Sequence, residues 1–85
     1  MKGKGNDMMN LKQENRYQAL IKELNDVLPG YEYQNMVVAT AVALGKFNEE
    51  WLRKSLLLAI DEERLSYDEA LMLKERYINF AGQFL

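Results

Sequence analysis

Apolar residues recur at intervals of three and four positions along most of the chain, which is the periodicity of amphipathic α-helices. In the first periodic segment, Asn10 and Gln13 have the spacing of a capping box. Pro29 and Gly30 end the segment, because proline cannot continue a helix and glycine tolerates positive φ. The apolar face of this predicted helix comprises Met9, Tyr17, Leu20, Ile21, Leu24, Val27 and Leu28.

The second segment is apolar on every side between Met36 and Leu44. Its β-branched residues would suit a buried strand. No other segment offers a partner strand, however, and an isolated strand leaves its backbone groups unpaired. Three alanines and the closing Gly45 favour a helix. A helix that is apolar all round is buried all round, so this one is predicted to be central and the most buried.

Asn48 is a good N-cap for a third helix, and two glutamates follow it in the first turn, where the helix dipole favours negative charge. Each glutamate should pair with the basic residue four positions later, Glu49 with Arg53 and Glu50 with Lys54.

Ser66 and Glu69 form a second capping box and open a fourth helix. The short link before Ser66 predicts an antiparallel hairpin of helices three and four. The predicted fold is therefore all-α, a compact bundle of four helices. Their predicted ranges are about 9–28, 32–44, 48–64 and 66–84.

The amino-acid composition excludes several functional classes but does not identify the function. The chain has 85 residues, no Cys and no His, and a formal net charge of −2. These counts exclude a disulfide scaffold and remove the commonest general base and metal ligand. With no phosphate loop or nucleophile elbow, we expect no enzyme activity, cofactor or metal. We expect a disordered leader at 1–7, one helical domain at 8–85, no membrane span and a cytoplasmic location.

The predicted helices carry more apolar side chains than so small a monomer can bury, and the surplus predicts a protein interface. Leu57 falls among charged residues on the third helix. The fourth helix has two apolar edges, one with Tyr67, Leu71, Ile78 and Leu85 and the other with Leu73, Tyr77, Phe80 and Phe84. We expect the second edge to be exposed, because little chain remains after it to cover it. The predicted interface residues are Leu57, Leu73, Tyr77, Phe80 and Phe84.

These features predict a small regulatory or interaction protein of the inhibitor, adaptor, antitoxin or immunity type, as bacteria and phages make. Its partner would be a larger protein, with a basic surface to match the net negative charge, or a second copy in a homodimer. The alternative is a helix-turn-helix DNA-binding regulator, because Ala41, Gly45 and Trp51 have that motif's spacing. The third helix would be the recognition helix, and the two glutamates in its first turn would repel the DNA phosphates. Nucleic acid is therefore an unfavourable partner. The DNA contacts would be Lys46, Asn48, Arg53 and Lys54.

Overall fold

The computed structural model describes residues 9–83, and that part of the chain contains four α-helices and no strand. The helices are α1 (Leu11–Val27), α2 (Glu32–Ala43), α3 (Glu49–Asp61) and α4 (Tyr67–Ala81). The all-α prediction is confirmed, including a helical rather than extended second segment. No helix within 9–83 is long and apolar enough to cross a membrane.

The chain divides into two compact units, the first ending at Lys46 and the second beginning at Phe47. The predicted single domain therefore stays a prediction. The leader predicted at 1–7 lies outside the described residues.

The predicted capping residues begin three of the helices. Asn10 Oδ1 accepts the Gln13 backbone N–H at 2.8 Å, and Gln13 Oε1 accepts the Asn10 N–H at 3.0 Å. Ser66 and Glu69 make the same reciprocal pair at the start of α4, at 3.0 and 2.9 Å. Asn48 accepts one backbone N–H at the start of α3, at 2.7 Å. Each cap satisfies amide groups that the first helical turn leaves without carbonyl partners.

α2 begins without such a side-chain cap at Tyr31, and its first residue, Glu32, instead contacts the preceding turn. The Glu32 carboxylate accepts the Gly30 backbone N–H at 3.1 Å, across the turn that follows α1. This hydrogen bond, together with one from its own backbone N–H, holds the pKa of Glu32 below its ordinary value of 4.5.

Asn35 ties α2 to the end of α1 within the first unit. Its fully buried amide Nδ2 donates to the Leu28 carbonyl at 3.0 Å and to Asn25 Oδ1 at 2.9 Å. A longer contact of 3.4 Å reaches the Leu24 carbonyl. The last carbonyls of a helix have no partner within it, so this side chain caps α1 from its neighbour.

α2 is the most buried helix, as predicted. Seven of its twelve residues are buried, whereas α4 buries five of fifteen. It ends in a Schellman motif at Gly45, which has a φ of +74°. The Lys46 N–H donates to the Ala41 carbonyl at 2.8 Å, and the Gly45 N–H donates to the Val42 carbonyl at 3.1 Å.

α3 ends in the same motif, but with a glutamate at the left-handed position. Glu63 has a φ of +61°, and its N–H donates to the Ile60 carbonyl at 2.9 Å. The Arg64 N–H then donates to the Ala59 carbonyl at 2.8 Å. The chain therefore leaves the helix after Asp61, three residues before the approximate end at residue 64 that the sequence predicts.

α3 and α4 pack together as the predicted hairpin within the second unit. Glu49, at the start of α3, lies 4.0 Å from Lys74 in the middle of α4. Ile60, near the end of α3, lines the same cleft as Tyr67 at the start of α4. The two helices therefore run antiparallel.

Candidate functional site

An open apolar cleft of about 210 Å³ runs between α3 and α4. Leu57 and Leu71 are each 50% exposed beside it, and Tyr67 is 64% exposed. Side chains of this size are usually buried, and three of them around one cleft make a patch rather than scattered exposure. The cleft is lined by Arg53, Leu56, Leu57, Ile60, Tyr67, Ala70, Leu71 and Lys74.

Helix geometry explains why these side chains meet. Residues three and four apart share a helix face, so Leu57 lies between Arg53 and Ile60 along α3. Tyr67 and Leu71 are one turn apart on α4. The short link from Asp61 to Ser66 brings the first turn of α4 back beside the last turn of α3.

The structure separates the predicted interface residues. Leu57 is exposed beside the cleft, whereas Leu73 and Tyr77 are completely buried and Phe80 is 8% exposed. The prediction that this edge of α4 is exposed is therefore wrong. Phe84 lies outside the described residues.

The exposed edge of α4 is the one that carries Tyr67 and Leu71. Both edges are apolar, so the hydrophobic pattern alone cannot decide which one is buried. The predicted antiparallel hairpin was the signal that could have identified this edge. A hairpin places the first turn of α4 beside the last turn of α3, so Tyr67 and Leu71 lie across the cleft from Ile60 and Leu57.

The charges around the cleft differ from those of the chain as a whole. Although the net charge is −2, the charged side chains that line the cleft are Arg53 and Lys74. The predicted ion pair between Glu50 and Lys54 is present at 3.5 Å. Glu49 lies within ion-pair distance of Lys74 instead of pairing with Arg53 as expected. The cleft therefore has an apolar floor, with Arg53 on its rim and a Lys74 that is already paired with Glu49.

Three of the four proposed DNA contacts have other local roles. All four of them are exposed, namely Lys46, Asn48, Arg53 and Lys54. Asn48 caps α3, Lys54 pairs with a glutamate, and Arg53 lines the apolar cleft. The helix-turn-helix spacing rested on Ala41 and Gly45, and both belong to the hydrogen-bonded end of α2.

Three consecutive acidic residues, Asp61, Glu62 and Glu63, lie at the end of α3. Glu62 contacts Arg64 through its carboxylate. Within residues 9–83, no three side chains of His, Cys, Asp or Glu converge to hold a metal ion.

Comparisons with protein-family models, with curated proteins and with solved structures find no match to this chain.

Proposed function

We propose that this chain is a small, non-enzymatic cytoplasmic protein that docks its α3–α4 face on a larger protein, as inhibitors, adaptors, antitoxins and immunity proteins do. The observation that carries the proposal is the exposure of Leu57, Tyr67 and Leu71 around one cleft. Contiguous apolar patches on small soluble domains commonly mark interaction sites. Aromatic residues such as Tyr67 are frequent anchors of such interfaces.

The shape and charge of the cleft favour an amphipathic helix as the contacting element. A groove between two helices accepts a third helix whose apolar face lies along it. Arg53 on the rim favours a carboxylate beside that apolar face. We therefore propose an acidic contact surface on the partner. The basic surface expected from the sequence followed from the net charge of the whole chain.

Site-specific photo-crosslinking tests the proposal. The aromatic crosslinker p-benzoylphenylalanine replaces Tyr67 at the cleft or, as a matched control, Tyr33 on α2, which is 55% exposed. After irradiation in the cells that make the protein, position 67 should give discrete adducts with a protein other than this chain, and position 33 should not give them. Equal labelling at the two positions, or none at position 67, would refute docking at this face.

A further inference from the structure

The surface of α3 that borders the cleft has a charge pattern with a direction. Arg53, Leu57 and Asp61 are spaced four residues apart on one ridge of α3, and all three are exposed. The ridge thus runs from a cation through an apolar residue to an anion. At 1.5 Å per residue, Arg53 and Asp61 are about 12 Å apart along the helix and do not pair with each other.

Two copies of this ridge match each other when they run in opposite directions. An antiparallel second α3, centred on Leu57, places Leu57 against Leu57, and each Arg53 opposite the Asp61 of the other copy. A parallel copy would place like charges together, which is unfavourable. Two-fold symmetry makes both ion pairs at once, as an isologous dimer interface requires.

We propose that a second copy of this chain covers the α3–α4 face when no larger partner is bound, with the two α3 helices antiparallel about Leu57. In this arrangement the hydrophobic effect stabilises the dimer, because the exposed Tyr67 and Leu71 flank the contact between the two α3 helices and are removed from water. The ion pairs set the direction of pairing. The inference rests on the proposed function, since it uses the same docking face.

A charge swap in the 85-residue chain tests the direction of pairing. Sedimentation equilibrium of the wild type should show a species of twice 9.9 kDa. Arg53→Asp alone and Asp61→Arg alone should each weaken dimerisation by about tenfold, because each places like charges opposite each other twice. The double variant restores opposite charges and should return the dissociation constant to within about threefold of the wild type.

Lys22→Asp on α1 is the matched control, because it reverses a charge at an exposed position that does not line the cleft. It should leave the dimer unchanged, and circular dichroism should show that every variant remains helical. A monomeric wild type, or a double variant no better than the single ones, overturns the antiparallel dimer. Such a result leaves docking on a larger protein intact if position 67 still crosslinks to a different chain. The absence of any adduct at position 67 would overturn both proposals.

Discussion

Replacing Glu63 by glycine should stabilise the protein, although glutamate is the better helix former. Glu63 has a φ of +61° at the end of α3, where a side chain costs about 1–2 kcal/mol relative to glycine. The greater flexibility that glycine gives the unfolded chain offsets about 0.4–1 kcal/mol of this gain. Removing a negative charge from a helix C-terminus adds about 0.3 kcal/mol. The expected net effect is about 1 kcal/mol of added stability, which raises the melting temperature by about 4–8 °C for a folded unit of about 60–100 residues.

Thermal and urea unfolding followed by circular dichroism measure this effect. Glu63→Gln is the control, because it removes the charge and keeps the strained backbone, so it should gain only the electrostatic part. The converse change, Gly45→Ala at a φ of +74°, should destabilise the end of α2 by about 1 kcal/mol. If Glu63→Gly is no more stable than Glu63→Gln, the strain argument is wrong.

Other predictions concern the turn between α1 and α2 and the DNA-binding alternative. Asn35→Ala should cost about 2–3 kcal/mol in urea unfolding, because two good hydrogen bonds are lost and a buried carbonyl loses a donor. The exposed Asn79→Ala should be nearly neutral, and equal effects would contradict the capping role of Asn35. Because the pKa of Glu32 is lower in the folded state than its ordinary value of 4.5, the ionised carboxylate stabilises the fold at pH values above 4.5. This stability is lost as the pH falls through the lower folded-state pKa. Glu32→Gln should therefore flatten the acid side of the stability profile, and an unchanged profile would exclude this contribution. No duplex DNA binding should be measurable by fluorescence anisotropy at physiological salt, whereas tight binding that weakens steeply with salt would favour the helix-turn-helix alternative.

Local signals made much of the fold predictable from sequence. Asn10, Asn48 and Ser66 cap their helices as expected, because a capping side chain bonds to amides only two or three residues away. The helical second segment was predictable because the chain offers no strand to pair with it. The early end of α3 was not predictable, since glutamate rarely adopts the conformation that Glu63 has.

The candidate site was only half predictable, because burial depends on contacts between distant parts of the chain. Leu57 was found from its charged neighbours on one helix. Periodicity alone could not rank the two edges of α4, since both are apolar, and the structure buries Leu73 while it exposes Leu71. Asn35 was missed for the same reason, since its partners lie seven to eleven residues earlier, on and just after α1.

The most direct test of the docking face compares aspartate substitutions at two neighbouring leucines of α3. Leu57 is 50% exposed and lines the cleft, whereas Leu58 is 53% exposed and does not line it. Leu57→Asp and Leu58→Asp should each keep the free energy of unfolding within about 0.5 kcal/mol of the wild type, as exposed substitutions usually do. Leu57→Asp should abolish the crosslinked adduct at position 67, and Leu58→Asp should retain it. Unfolding of Leu57→Asp, or an adduct that survives it unchanged, would contradict the docking role of this face.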